Sequence, residues 1–108
     1  MIDRLLLALL GLLLGSTAMA LSRPAEILIT QKNREFSVRE ASIAAGGRLL
    51  FSNDDDFPHQ ISATGPGVAI SSPLQRPGEM LSIPLPHAGT VQIRCGIHPR
   101  MRLSVQVD

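Results

Sequence analysis

Residues 89–107 read GTVQIRCGIHPRMRLSVQV. Two alternating runs flank a short loop. Val91 and Ile93 alternate with Gln92 and Arg94; further on, Leu103, Val105 and Val107 alternate with Ser104 and Gln106. A period of two marks a strand with one buried and one solvated face. The connection runs from Cys95 to Met101, so the residues with the most chemistry in this stretch lie between two neighbouring strands.

The same pattern extends upstream. Residues 27–30 are apolar and β-branched, and Phe36 and Val38 alternate with Ser37 and Arg39. Residues 42–44 lead into the Gly46-Gly47 turn. Residues 48–53 (RLLFSN) place Leu49 and Phe51 on one face, as a half-buried strand requires. Residues 59–63 predict another strand, stopped by Gly65-Pro66-Gly67. Residues 65–79 hold three prolines and three glycines, which predicts a long loop with one short strand at 68–70. Met80 opens a strand over 80–83 as a core residue, and Pro84 and Pro86 end it. No window shows amphipathic helical periodicity. Seven or eight short strands separated by Pro and Gly turns predict an all-β sandwich.

The N-terminus reads differently. Residues 1–20, MIDRLLLALLGLLLGSTAMA, have a short polar start with Arg4, an apolar run over 5–14, and small residues ending in Ala18-Met19-Ala20. This is the layout of a cleaved secretory signal peptide, and the run is shorter than the ~20 residues a spanning helix needs. The expected organisation is a signal peptide over 1–20 and one domain over 21–108. Eighty-eight residues suffice for one domain and not for two. Net charge is +1 for the whole chain. With no basic stripe and no Tyr or Trp for base stacking, nothing points to nucleic acid.

Small exported domains often rely on disulfides, yet this chain has one cysteine. A lone thiol there is paired outside the chain, chemically special, or a metal ligand. The sequence around it favours the last. Cys95, His98 and Met101 stand at C-x2-H-x2-M spacing. With three His and four Met in 108 residues, that spacing arises by chance about once in a thousand. A thiolate and imidazoles suit copper or zinc. Adding a distant thioether gives the set that suits copper electron transfer. The loop supplies one imidazole, so a second comes from upstream. His59, following Phe57-Pro58 and opening a strand, is the best candidate. His87 sits in a turn and is expected to be exposed. Asp54-Asp55-Asp56 reads as a solvated loop, since adjacent rather than spaced acidic residues suit calcium poorly.

On these residues the chain resembles the cupredoxins, the blue-copper β-sandwich proteins. The likeness runs from Ile27 to Val107. It is carried by residues 45–53 (AGGRLLFSN), by Phe57-Pro58-His59, and by residues 89–101. The short spacing between His98 and Met101, with Pro99 after the histidine, is most like amicyanin and the small cupredoxins labelled methylamine utilisation proteins. The chain departs from the family at Val91 and Ile93, where aromatics are usual, at Gln60, where Asn or Thr is commoner, and at Arg102, where Gly is common. The resemblance implies a Greek-key sandwich binding one type 1 copper ion. His59 and His98 would bind through nitrogen, Cys95 as thiolate, and Met101 as a weak axial ligand. Asn53 would tie the His59 loop to the Cys95 loop.

The function expected is a periplasmic, monomeric single-electron carrier that docks transiently with protein redox partners near His98. Arg100 and Arg102 beside that port point to an acidic partner. Copper delivery or storage is the alternative, but it would call for clustered Met and His, and residues 21–108 hold only Met80 and Met101. Catalysis is not expected, because so small a domain leaves little room for a substrate cleft and the sequence lacks further metal ligands.

Overall fold

The computed structural model describes residues 22–108; the expected signal peptide lies outside the described residues. Nine strands follow one another: β1 (Glu26–Lys32), β2 (Glu35–Phe36), β3 (Glu40–Ile43), β4 (Gly47–Asn53), β5 (Ile61–Gly65), β6 (Val68–Ser71), β7 (Met80–Leu85), β8 (Gly89–Cys95) and β9 (Arg102–Val107). They form two sheets, one in the order β2-β1-β4-β7 and one in the order β3-β9-β8-β5-β6. The chain is an all-β sandwich.

Alternation decides which face each strand buries. In β8, Val91, Ile93 and Cys95 point inward, while Thr90, Gln92 and Arg94 are exposed. In β9, Leu103, Val105 and Val107 do the same. β8 and β9 pair antiparallel with Val91 opposite Val105 and Ile93 opposite Leu103, so both inner faces coincide. From the other sheet, Ile29, Leu49, Phe51, Ile83 and Leu85 meet them in one core. Phe36 packs edge-on against Phe51, ring centres 5.8 Å apart. Burial of each large aliphatic or aromatic side chain contributes roughly 1.5–3 kcal/mol, and this core rests on many of modest size.

Two strand pairs are parallel, β1 with β4 and β3 with β9. Gly47, at the start of β4, makes the first approach possible. A Cβ there would lie 2.5 Å from Ala25 O and 2.9 Å from Ala44 O, so only glycine lets the backbones come this close. Pro84 sits inside β7, an edge strand, where a missing N–H is tolerated.

Some local expectations need correction. Met80 is 57% exposed rather than core; its alternation places Leu81 and Ile83 toward the interior instead. The alternation over Phe36–Val38 stops after Phe36. Ser37 closes on Thr30 through its N–H and its Oγ, which turns the chain and leaves Val38 exposed. The strand expected at 59–63 begins at Ile61; His59 makes only an isolated bridge to Gln75.

Candidate metal centre

One end of the sandwich gathers the chemistry. The end of β8 supplies Cys95, the β8–β9 loop supplies His98 and Met101, and the segment between β4 and β5 supplies His59. His87 lies in the β7–β8 turn and is exposed; its ring packs over Gly67.

The ligand loop folds tightly for reasons its sequence states. The Met101 N–H donates to His98 O at 3.0 Å, closing a β-turn with Pro99 at its second position, the place proline favours. The Cys95 N–H donates to Met101 O at 3.4 Å. These bonds fold Cys95, His98 and Met101 onto one another. Met101 is buried, at 1% exposure.

His59, Cys95 and His98 come together, each offering one ligand atom, and all three atoms lie within 4.8 Å of one another. His59 Nδ1 is 3.6 Å from Cys95 Sγ, and His98 Nδ1 is 3.8 Å from it. With metal–nitrogen and metal–sulfur bonds of about 2.0 and 2.3 Å, a tetrahedral angle gives an N···S separation of about 3.5 Å and a trigonal one about 3.7 Å. The donors therefore stand at the spacing one metal ion would need. A thiolate with two imidazoles, and a buried thioether in the same loop, form a type 1 copper-like site. His59 and Cys95 are buried, and His98 is half-buried.

The tautomer of His59 follows from its other nitrogen. Nε2 lies 2.7 Å from Asp55 Oδ2. A carboxylate only accepts, so Nε2 carries the proton and Nδ1 keeps its lone pair toward Cys95. Asp55 was expected in a solvated loop, yet it is buried. Burial raises its pKa, but the hydrogen bond to His59 and the N–H groups of Arg34 and Asn33 outweigh that, and the carboxyl is held below its usual range. At His98 burial acts first, with Coulomb interactions from the neighbouring His59 and Arg34 adding to it and Asp55 opposing; together they hold the ring below the usual imidazole range. Its neutral, ligand-competent form is thereby favoured.

Asn53 does not tie the His59 loop to the Cys95 loop. Its Nδ2 donates to Phe57 O at 3.0 Å and Gln75 O at 2.9 Å, and its Oδ1 accepts from the Asp55 N–H. It braces the His59 loop against the 75–79 segment. The bond between the two ligand loops is made by Gln60, whose backbone O and Oε1 both accept from the Gly96 N–H, at 3.1 and 3.2 Å. Gln60 Nε2 is in turn held by Ile61 O, Ser71 Oγ and Ser72 O. A longer side chain than Asn or Thr at this position therefore reaches a role of its own.

Phe57 completes the site from outside. Its ring centre is 5.4 Å from those of His59 and His98, and the Arg34 guanidinium lies 4.8 Å above it.

An all-β sandwich with His59, Cys95, His98 and Met101 at one end is consistent with a small cupredoxin. The solved structures it resembles point the same way. A reduced Cu(I) amicyanin variant matches at 20% identity and a TM-score of 0.70, over 84% of this chain and 88% of that one. A purple cupredoxin from Nitrosopumilus maritimus matches at 26% identity and 0.64, over 78% and 99%. A copper-containing nitrite reductase from Thermus scotoductus SA-01 matches at 24% identity and 0.69, over 82% of this chain but only 23% of the reductase. This chain thus spans under a quarter of that enzyme. Neither a protein-family model nor a curated protein matches the sequence.

Proposed function

We propose that the protein is a copper-binding single-electron carrier of the periplasm, exported by the signal peptide at 1–20 and working as a monomer. The observation that carries this reading is the spacing of His59 Nδ1 and His98 Nδ1 around Cys95 Sγ, 3.6 and 3.8 Å. Bound copper would supply a one-electron Cu(II)/Cu(I) couple. The protein's own part is to hold the donors in one arrangement for both oxidation states. Cys95 would hold the ion as thiolate, His59 and His98 through Nδ1, and Met101 through its thioether sulfur. The tight His98–Met101 turn and the Gln60–Gly96 bonds resist rearrangement, and burial of His59, Cys95 and Met101 keeps water away. No substrate bond forms, and the chain is read as a carrier rather than an enzyme. Among the described residues no helix is long and apolar enough to cross a membrane.

The electron port is the half-buried ring of His98. Ile97, 45% exposed, and the exposed Pro58 and Pro99 border it with Phe57. Such a small apolar rim suits the small interfaces of brief redox encounters. Beside it lies a basic face. Arg39, Arg100 and Arg102 line one shallow cavity, and Arg94 stands directly opposite Arg102 on the neighbouring strand. Like charges placed opposite each other cost stability. Among the described residues only Arg100 of these four has an ion-pair partner, Glu35 at 3.9 Å, with both side chains exposed. A surface of this kind favours an acidic protein partner. Charge reversal by Arg102→Glu should slow electron exchange with an acidic redox protein severalfold at low salt, the difference shrinking as salt screens it. A rate unchanged at low salt would remove the steering role.

The central test is to add Cu(II) to the protein lacking residues 1–20. One equivalent should develop an intense visible thiolate-to-copper band, bleach on chemical reduction and return on oxidation. Retention of the metal through repeated cycles separates a carrier from a delivery or storage protein, which would release it. A colourless copper complex would overturn the reading.

A further inference from the structure

Asp55 lies four residues before His59 and is buried beside it. Its carboxylate accepts three N–H groups: His59 Nε2 at 2.7 Å, the Asn33 N–H at 2.6 Å and the Arg34 N–H at 3.2 Å. The two backbone donors come from the turn joining β1 and β2, where Asn33 and Arg34 have φ of 55° and 58°. Two left-handed residues make the turn that joins tight hairpins, and glycine is the usual second residue. A side chain in that conformation costs roughly 1–2 kcal/mol. Here Arg34 occupies it, held by the carboxylate below and by its own guanidinium over Phe57. A buried anion is costly unless hydrogen bonds satisfy it. This one is met by donors from a hairpin some twenty residues upstream in the chain and by a ring that faces the metal centre.

We infer that Asp55 is a positioning residue of the metal centre. Its carboxylate fixes His59 as the Nε2–H tautomer with Nδ1 turned inward, and its negative charge favours a doubly over a singly charged copper ion. The inference rests on the copper-carrier reading for its second half only. A carboxylate bonded to a ligating histidine orients the ring and raises its basicity, and loss of such a partner typically costs 10–100-fold in metal affinity. The charge lies close by in a poorly screened interior, where Coulomb interactions are stronger than in water. Because a dication gains more from it than a monocation, its removal weakens Cu(II) binding more than Cu(I) binding.

Two measurements test this. In the metal-free protein at mildly alkaline pH, nitrogen NMR should report His59 as the Nε2–H tautomer. The Nδ1–H tautomer in the wild-type protein would overturn the positioning role, whether or not copper binds. In the copper protein, Asp55→Asn should lower the Cu(II)-to-Cu(I) affinity ratio about tenfold, a rise in reduction potential of about 59 mV for a one-electron couple. Asp55→Glu, which keeps the charge, should restore most of it. Gln75→Ala disturbs the same loop without removing charge and should leave the potential near the wild-type value. An unchanged or lowered potential in Asp55→Asn, or an equal rise in Gln75→Ala, would overturn the electrostatic role. Failure of the wild-type protein to bind copper would sink the carrier reading while leaving the tautomer result standing.

Discussion

Cys95→Ser is expected to abolish the visible copper band and reversible one-electron cycling while leaving the metal-free fold intact. The two halves of this expectation have separate causes. The band requires a thiolate, and a serine hydroxyl stays protonated near neutral pH and is a poor ligand for a soft site. The loss in copper affinity should exceed the ~10–100-fold typical of removing an outer partner. The fold should survive because Cys95 is the chain's one cysteine and makes no disulfide. Its N–H keeps the bond to Met101 O, and serine is close to it in volume. The hydroxyl enters a pocket that already holds two imidazole nitrogens, His59 Nδ1 and His98 Nδ1, so a hydrogen-bond acceptor is at hand. The checks are a visible spectrum after one equivalent of Cu(II) and a thermal melt of the metal-free variant. A retained intense band would assign the metal to other donors. A collapsed melt would mean that the thiol is structural.

The sequence carried the sandwich and three of the site's parts for a simple reason. Period-two alternation in β4, β8 and β9 states which faces are inside, and Cys95, His98 and Met101 lie within seven residues of each other. Short-range spacing is legible without a fold. His59 is legible from its place after Phe57-Pro58 and from the need for a second imidazole, and the fold meets that need by bringing the β4–β5 segment against the end of β8. Long-range partners were not legible. Asp55 looked like one of three solvated acids, because its burial depends on two backbone N–H groups at Asn33 and Arg34 and on a ring four residues away. A signal existed in its spacing. Asn53 two residues before Asp55 can cap its N–H, and His59 four residues after it can bond its carboxylate. Gln60 looked like a harmless departure from the usual residue, since nothing local shows that its side chain reaches Gly96. Met80 looked apolar enough for the core, but its face in β7 is set by alternation with Leu81 and Ile83.

Gln75→Ala should lower the unfolding free energy of the metal-free protein by about 2–4 kcal/mol, the cost of leaving buried polar groups without partners. Gln75 is buried between the sheet and the metal centre. Its Nε2 donates to Phe51 O at 2.9 Å and Glu79 O at 2.8 Å, and its Oε1 accepts from Gln31 Nε2 at 2.7 Å. Gln31 is itself fully buried, and among the described residues the only other bond of its side chain is from the same Nε2 to Ser52 O at 3.2 Å. Alanine would leave carbonyl groups of Phe51 and Glu79 and an amide of Gln31 short of partners in a space that water reaches poorly. The substitution is specific, because the backbone of residue 75 keeps its own bonds. Its N–H donates to His59 O, and its O accepts from the His59 N–H and from Asn53 Nδ2. The backbone bonds that place His59 therefore survive while the side-chain support behind them softens. Denaturant unfolding should show the loss in the metal-free protein, and saturating copper should recover part of it, since a ligand that binds only the folded state adds stability by mass action. The exposed Gln92→Ala, whose one side-chain bond is a 3.4 Å contact to Ser104 Oγ, should change stability by less than about 0.5 kcal/mol. Equal effects at the two positions would mean that the buried amides are hydrated in the folded protein and that the polar layer behind His59 contributes little to holding it.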